Sequence, residues 1–253
     1  WMALELNLVP EMAIVQPWQP IVRVGAESNE IAKALIQHSQ EYVSTHSPSR
    51  LETWIPLIKK GLDQTYETYA SWYESAGFEK IAEEYRMQID LATWTLNTSQ
   101  LNANIEILLL DQVSNEELQG VVFDTFLQSD DQWFLKQNQT HQEGAISLWL
   151  NRGEAFDKES SLVFKKNGKY VGFIVARVEN DVPDLGPIGV HPDFREQNLG
   201  TALVTLSLDK LKTKGYETAI LEVSTENTPA VNLYEKLGFE KQYRIFLYGW
   251  SPE

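Results

Sequence analysis

The residues best suited to chemistry lie in a turn between a predicted strand and a predicted helix. The strand ends at Val190, the turn carries Arg195, and Gly200 stands where the helix begins. Backbone N–H groups in the first turn of a helix lack partners within the helix and lie at its positive end, so they bind anions. Arg195 adds positive charge, and Gly200 lets a bulky anion approach the backbone. Taken alone, the pattern also fits an ordinary helix start.

The elements that position this turn can be assigned along the second half of the chain. Ser114 and Glu117 form a capping box at the start of a helix. Asn167-Gly168 separates two strand-like runs and predicts a hairpin, because both residues tolerate positive φ. From residue 105 the predicted order is β-α-α-β-β-β-α-β-α-β. Strands are assigned to 105–110, 161–166, 169–177, 187–190, 218–224 and 240–248, and helices to 114–127, 141–150, a stretch ending near Gly215, and 229–237.

The first half of the chain repeats a piece of the second half. Residues 72–80 match residues 233–241 at six of nine positions, and each stretch precedes an alternating strand, at 85–91 and 243–248. Such self-similarity indicates a duplicated helix–strand unit, with chance similarity as the alternative. The remaining elements predicted in this half are helices at 29–43 and 62–75 and strands at 21–24 and 51–55.

Length and composition bound the class of protein. A chain of 253 residues with 43% hydrophobic residues is long enough for two ordinary domains. We predict them at 1–95 and 103–253, with a polar linker over 93–103. The formal charge of −15 argues against nucleic acid or an anionic membrane surface as a partner. It would attract a cationic small molecule, although an acidic solubilising surface is the simpler explanation.

Other chemistries are excluded by what the sequence lacks. There is no cysteine, so disulfides, thiolate catalysis and cysteine-ligated metals are excluded, and we expect no metal. No apolar run approaches the ~18 residues that span a bilayer. The first residues also lack the basic and apolar regions of a signal peptide. We expect a cytoplasmic protein that is a monomer or a homodimer.

Two motifs in the second half resemble one known family. The run from Val190 to Ala202 resembles the acetyl-CoA-binding signature of the GNAT (GCN5-related) N-acetyltransferases, and the run from Leu221 to Phe239 resembles the later half of that family. The resemblance implies an α/β (α+β) fold in which helices flank a mixed central sheet, with a partial, degenerate GNAT-like domain before it. Asn198 stands where the family usually has its first glycine. Asparagine tolerates left-handed φ, so the loop could survive with reduced affinity for diphosphate.

The resemblance also implies where acetyl-CoA, the acyl donor, would bind. In this family the pantetheine arm pairs with the fourth strand, and the diphosphate lies on the following turn. Carried over, Asn227 contacts the pantetheine arm and Tyr234 lies near the thioester sulfur. A phenol of pKa ~10 can protonate a departing thiolate of conjugate pKa ~8.5, although Tyr234 could instead be a core aromatic residue. The remaining implied contacts are Ile188, Gly189, Val190, Arg195, Glu196, Gln197, Asn198, Leu199, Gly200 and Thr201.

An amine acceptor must lose a proton, so the resemblance also requires a base. Asp184, just before the fourth strand, and Glu222, on the fifth, are the candidates. Ordered water is the alternative, and Glu222 could be a solvated strand residue. His191 is expected to be structural. A region that forms the acceptor pocket in this family contains Trp133 and Trp149 with Asp130 and Asp131, which would suit a cation or could be core and helix-stop residues.

The corresponding positions in the first half predict no second cofactor site. Tyr73 takes the place of Tyr234, and Tyr66 takes the place of Asn227, but no turn of the Arg195 type precedes them. Trp54, Tyr69 and Trp72 could line an acceptor cleft or belong to the core. The chain as a whole is expected to be an acetyl-CoA-dependent N-acetyltransferase that acts on a primary amine of a small molecule or peptide by direct attack on the thioester. The alternative is a non-catalytic acyl-CoA-binding or interaction protein.

Overall fold

The computed structural model describes residues 2–6, 10–15, 19–23, 25, 27–46, 49–57, 66–95 and 104–252. Within these ranges the strands are β1 (Glu5–Leu6), β2 (Met12–Val15), β3 (Arg50–Pro56), β4 (Glu79–Asp90), β5 (Glu106–Leu109), β6 (Leu162–Lys166), β7 (Lys169–Glu179), β8 (Val182–Val190), β9 (Thr218–Ser224) and β10 (Glu240–Trp250). The α-helices are α1 (Ser28–Thr45), α2 (Tyr66–Ser75), α3 (Asn115–Leu127), α4 (Gln132–Leu135), α5 (Gln139–Trp149), α6 (Leu199–Thr213) and α7 (Thr228–Leu237).

The chain folds into two compact units, each built from segments that are separate in the sequence. The first unit comprises Trp1–Glu84, Lys136–Gly144 and Tyr243–Glu253, and the second comprises Tyr85–Leu135 and Ala145–Gln242. The domain limits of 1–95 and 103–253 stay a prediction. The compact units differ from these limits because β4 and β10 each cross from one unit to the other along the chain. Most of the predicted linker, at 96–103, lies outside the described residues.

The first unit is a mixed sheet with two helices packed on it. Its strand order is β1-β2-β3-β10-β4, with β2 parallel to β3 and β10 antiparallel to β3. Tyr73 is fully buried and donates a hydrogen bond to Gln19 Oε1 over 2.7 Å. Trp72 is 4% exposed and contacts Tyr69 edge to face. These aromatic residues belong to the core of this unit.

The second unit has the strand order β4-β9-β8-β7-β6-β5. Strands β5 to β8 pair antiparallel in sequence, and β8 pairs parallel with β9. Its core packs α6 and α7 against the sheet through buried apolar side chains such as Leu203, Leu208, Leu221 and Phe239. Parallel strands need a crossover connection, and α6 provides it between β8 and β9.

Local turn and cap chemistry explains the elements predicted correctly. Ser114 Oγ accepts a hydrogen bond from Glu117 N over 3.3 Å, and Glu117 Oε2 accepts one from Ser114 N over 3.1 Å, which confirms the capping box. Asn167 and Gly168 have φ of 51° and 79°, which confirms the hairpin. The order of elements from residue 105 is also confirmed, with the short helix α4 added.

Several boundaries were wrong for identifiable reasons. β8 begins at Val182, five residues before the predicted start at 187, because Asn180 and Asp181 form a second turn with φ of 50° and 63°. Pro183 and Pro187 make this strand difficult to predict, because proline lacks the N–H group that pairs with a neighbouring strand. Residues 21–23 form no strand, whereas β1 and β2 were not predicted. Residues 24 and 62–65 of two predicted elements lie outside the described residues.

Candidate active site

A cleft of about 1330 Å³ opens in the second unit beside β8. The register between β8 and β9 pairs Asp184 with Ile220, and the cleft is lined by the residues of β8 beyond that pair. Separation of two parallel neighbours leaves backbone groups of β8 available to a ligand that takes the place of a strand. The lining comprises residues 93–95, 125, 128–130, 188–190, 194–196, 198–201, 204, 205, 227, 229, 230, 232–234, 236 and 237.

A bulge in β8 precedes this opening. Ile174 of β7 pairs with Ile188, whereas Ala176 pairs with Leu185, so β8 contains one residue more than β7 between these pairs. A bulge bends its strand and increases the local twist. It therefore lies where β8 turns from its pairing with β9 toward the cleft.

Gly189 lies at the point of closest packing on β8. A Cβ atom there would lie 2.5 Å from Phe173 Cζ and 2.6 Å from Thr125 Cγ2. Only glycine fits this position without moving both neighbours. The predicted contacts Ile188, Gly189 and Val190 all line the cleft.

The N-terminus of α6 lies at the same cleft. Asn198 precedes the helix with φ of 58° and ψ of 15°, and its side chain makes no capping hydrogen bond. The left-handed conformation expected of this asparagine is therefore confirmed, and Glu196 shares it with φ of 62°. Glu196, Asn198, Leu199, Gly200 and Thr201 line the cleft, and the first-turn N–H groups make this end of the helix suitable for an anion.

Two residues predicted to bind the diphosphate have other partners in the structure. Arg195 donates from Nε to Val190 O over 3.2 Å, from Nη1 to Gln128 O over 2.7 Å and from Nη2 to Thr125 O over 3.1 Å. It therefore joins the end of α3 to the end of β8, although its charge still lies at the cleft. Gln197 accepts a hydrogen bond from Lys166 Nζ over 2.8 Å and is absent from the described lining.

Helix α7 supplies the remaining predicted cofactor contacts. Asn227 caps the helix, with Oδ1 accepting from Ala230 N over 3.3 Å, and it lines the cleft. Tyr234 also lines the cleft although it is only 7% exposed, and its ring contacts Phe239 edge to face. Burial raises the pKa of Tyr234, so the phenol stays protonated at neutral pH. Tyr234 is thus both a core residue and a cleft residue.

The two predicted bases lie together on the sheet but not in the described lining of the cleft. Arg86 Nη1 of β4 lies 2.6 Å from Glu222 Oε1 and 3.6 Å from Asp184 Oδ2. Burial and then the charge of Glu222 raise the pKa of Asp184 to about 6, against the opposing effects of Arg86 and Arg177. The Asp184 side chain is 45% exposed, so solvent reaches it.

The alternation of β9 places Glu222 on the face opposite α6 and α7. Its neighbours Leu221 and Val223 are buried in the core that contains those helices, whereas Glu222 is exposed. Successive side chains of a strand point to opposite faces. The carboxylates and Tyr234 therefore approach the opening of the sheet from different faces.

The aromatic region predicted as an acceptor pocket is mostly core. Trp149 packs against Phe126 with ring centroids 4.6 Å apart, and Trp133 is 7% exposed. Asp131 Oδ1 accepts from Phe134 N over 2.9 Å and so begins α4. Asp130 lines the cleft. His191 accepts a hydrogen bond from Asp193 N, which agrees with a structural role.

Comparison with known proteins identifies this region. The sequence pattern of the acetyltransferase (GNAT) family matches residues 124–239. The chain is 37% identical over 91 residues to the [ribosomal protein bS18]-alanine N-acetyltransferase of Escherichia coli K12. The matched residues cover 36% of this chain and 60% of that relative. It is 23% identical over 244 residues to the mycothiol acetyltransferase of Cellulomonas flavigena, covering 92% of this chain and 66% of the relative.

Solved GNAT structures share the fold over nearly the whole chain. A GCN5-related N-acetyltransferase from Sphaerobacter thermophilus superposes with a TM-score of 0.67 at 14% identity, covering 99% of this chain and 76% of that one. A tandem GNAT protein from the clavulanic acid biosynthesis pathway gives 0.67 at 17% identity, covering 96% and 77%. The predicted fold class is therefore confirmed. Within the described ranges, no helix has both the length and the apolar character required to cross a membrane.

Sequence reasoning missed four residues at or near the candidate site. The Oγ1 atoms of Thr125 and Thr205 are buried without a hydrogen-bond partner, and both residues line the cleft. Arg86 meets its carboxylates only through the pairing of strands. Lys166 lies 2.8 Å from Gln197 in the turn before α6. None of these belongs to a short motif, and only the positive charge of Lys166 near a predicted hairpin could have drawn attention to it.

Proposed function

We propose that this protein is an N-acetyltransferase that uses acetyl-CoA to acetylate a primary amine of a small molecule or peptide. One observation carries the proposal most directly. The cleft beside β8 is lined both by the N-terminus of α6 and by the buried phenol of Tyr234. An anion site and a protonated acid in one cleft match the two ends of an acyl-CoA thioester, its diphosphate and its sulfur.

The polar groups of the cleft fit such a donor. The buried hydroxyls of Thr125 and Thr205 lack partners, and a buried polar group without a partner costs stability unless a ligand or water satisfies it. Backbone groups of 188–190 and the side chain of Asn227 would bind the pantetheine arm, and residues 196 and 198–201 would bind the diphosphate. Acetyl-CoA would supply an activated acetyl group and a thiolate leaving group.

Two proton transfers would take place from opposite faces of the sheet. Asp184 would accept the proton of the amine, since its pKa of about 6 leaves it ionised and basic at neutral pH. Tyr234 would donate a proton to the departing thiolate. The transfer would be direct, because the chain has neither a cysteine nor a Ser-His-Asp pattern to form an acyl-enzyme.

The acceptor is a primary amine whose identity must come from experiment. The E. coli relative is named for alanine of ribosomal protein bS18, so a peptide with an N-terminal alanine is one probe. Spermidine, an aminoglycoside, a free amino acid and a lysine peptide are the others. The net charge of −15 favours the cationic members of this panel.

The absence of cysteine makes the assay direct. A thiol reagent added to the reaction reports only released CoA, because the protein has no thiol of its own. Calorimetry with acetyl-CoA comes first, followed by CoA release over the amine panel. Binding followed by amine-dependent release supports the proposal, and a failure to bind acetyl-CoA overturns it.

A non-catalytic acyl-CoA-binding or interaction protein that keeps the fold is the second candidate. Asn198 stands in place of glycine and Arg195 donates to three main-chain carbonyls, and both features would weaken the hold of this turn on diphosphate and so favour a protein that has lost the chemistry. Binding of acetyl-CoA without release of CoA for any amine of the panel would support it.

A further inference from the structure

Three neighbouring strands bring one arginine and two carboxylates together. Arg86 of β4, Glu222 of β9 and Asp184 of β8 have side chains that are 24%, 34% and 45% exposed. Arg86 Nη1 is shared unequally, since Glu222 Oε1 lies at 2.6 Å and Asp184 Oδ2 at 3.6 Å. The short contact is a charge-assisted hydrogen bond, whereas the longer one is an ion pair without such a bond.

The charged groups of β7 do not replace Arg86 as a partner of Asp184. Arg177 donates to Gly186 O over 2.8 Å and to further main-chain carbonyls. It influences Asp184 by charge alone, as does Glu179 with the opposite sign. Asp184 thus faces Glu222 and Glu179 as like charges, and Arg86 and Arg177 as opposite charges.

We propose that Arg86 is a positioning residue that binds Glu222 and so leaves Asp184 as the carboxylate that receives the proton of the acceptor amine. The inference rests on the proposed function. In the step concerned, an N–H bond of the amine breaks and its proton passes to Asp184. The nitrogen lone pair forms the bond to the acyl carbon, the carbon–sulfur bond breaks, and Tyr234 protonates the thiolate.

The contact with Glu222 explains why Arg86 is needed. Two carboxylates this close to one guanidinium repel each other when both are ionised. Arg86 stabilises the ionised form of Glu222 and fixes its direction, while its weaker contact with Asp184 leaves that oxygen available. Arg86 comes from the last strand before the predicted linker, so the first half of the sequence would supply a residue to the acetyltransferase site.

The test measures the Asp184 carboxyl directly in the full chain. Aspartate labelled with ¹³C at Cγ is incorporated, Asp184 is assigned by its loss in Asp184→Asn, and its resonance is followed from pH 4 to 9. We expect a midpoint near pH 6 in the wild type. Arg86→Gln should raise it by about one pH unit, because an opposite charge is lost, and Glu222→Gln should lower it by a similar amount. Arg86→Lys, which keeps the charge, should raise it less than Arg86→Gln.

The matched control is Arg244→Gln. Arg244 Nη1 pairs with Glu83 Oε1 over 2.7 Å on two strands of the first unit, so its loss should leave the midpoint of Asp184 unchanged. Equal midpoints in wild type, Arg86→Gln and Arg86→Lys would overturn the inference. Should Arg86→Gln fail to fold, Glu222→Gln still decides it, because an unchanged midpoint of Asp184 in that variant would also overturn the inference.

The pH dependence of acetyl transfer provides a second measurement, which would not change if Arg86 had only a structural role. The acidic limb of kcat/KM against pH, measured with the best amine of the panel, should move in the same direction as the midpoint of Asp184, with KM for acetyl-CoA unchanged. Absence of CoA release from the wild type would overturn the proposed function and this inference with it. CoA release combined with an unmoved acidic limb in Arg86→Gln would overturn only the inference about Arg86.

Discussion

Leu233 Cδ1 of α7 lies 3.1 Å from the position that a Cβ atom would take at Gly200 of α6. The glycine at the start of α6 therefore permits the close packing of α7 as well as the approach of a ligand. Because Leu233 and Tyr234 are consecutive, this contact also helps to fix the side of α7 that lines the cleft. One packing contact thus joins the first turn of α6 to the residue that precedes Tyr234, the candidate acid.

Gly200→Ala should change the free energy of unfolding by less than about 1 kcal/mol, because overpacking against Leu233 offsets the gain in helix propensity. The flexible end of Leu233 can move by a few tenths of an ångström, so the cost stays near the low end for overpacking. Acetyl-CoA affinity should also fall, since the first turn of α6 shifts with the new side chain. Denaturant unfolding and calorimetry with acetyl-CoA measure the two effects.

A second alanine substitution separates packing from ligand approach. Leu233→Ala combined with Gly200→Ala should recover affinity, because the conflicting atom has been removed. Gly120→Ala is the control, since nothing lies within 4 Å of a Cβ there and α3 should gain up to about 1 kcal/mol. If the double variant binds no better than Gly200→Ala, the methyl group obstructs the ligand rather than Leu233.

Asn198→Gly should tighten the binding of acetyl-CoA, and Asn198→Val should weaken it. The residue has φ of 58°, a conformation that glycine adopts freely and that costs other residues about 1–2 kcal/mol. A β-branched residue would distort the turn that presents the N–H groups of α6. Calorimetric dissociation constants for CoA and acetyl-CoA provide the measurement.

Asn180 provides the control for this effect. It has φ of 50° in the turn between β7 and β8, away from the cleft lining. Asn180→Gly should change stability as Asn198→Gly does while leaving acetyl-CoA affinity as it is. Equal affinities of the wild type, Asn198→Gly and Asn198→Val would show that this turn does not contact the donor.

The parts of the site that could be predicted are those encoded by neighbouring residues. The left-handed conformation at Asn198 and the burial of Tyr234 beside the cleft both follow from patterns within a few positions. Local chemistry dictates such features, because turn and cap geometry depends on adjacent side chains.

The parts that could not be predicted depend on register between distant strands. Arg86 meets Glu222 across 136 positions of sequence, and no local pattern fixes which strands become neighbours. For the same reason, the sequence did not show that β4 and β10 each run from one compact unit into the other. The three carbonyl partners of Arg195 were also invisible, since the residue type indicates charge but not which oxygens it contacts.

Tyr234→Phe should lower kcat by about 100-fold while leaving acetyl-CoA affinity nearly unchanged, because general acid catalysis contributes that order of acceleration. The phenyl ring preserves the contact with Phe239 and the burial. Tyr73→Phe is the matched control, since Tyr73 holds the corresponding place in the repeated segment and bonds to Gln19 in the first unit. A Tyr234→Phe rate within twofold of wild type would remove Tyr234 from the mechanism.

His141 should make the first unit less stable as pH falls. Its side chain is 2% exposed and its Nε2 has no hydrogen-bond partner. Burial, followed by the charge of Arg50, lowers the pKa of His141. Below a pH of about 6.5, the ordinary pKa of histidine, the unfolded chain therefore binds a proton at His141 that the folded chain does not bind. The free energy of unfolding should decline from pH 7.5 to pH 5, by at most about 1.4 kcal/mol per pH unit for this one group.

His141→Gln should flatten that decline, whereas His38→Gln, at a side chain 85% exposed, should retain it. Parallel stability profiles for wild type and His141→Gln would show that His141 is not the group responsible.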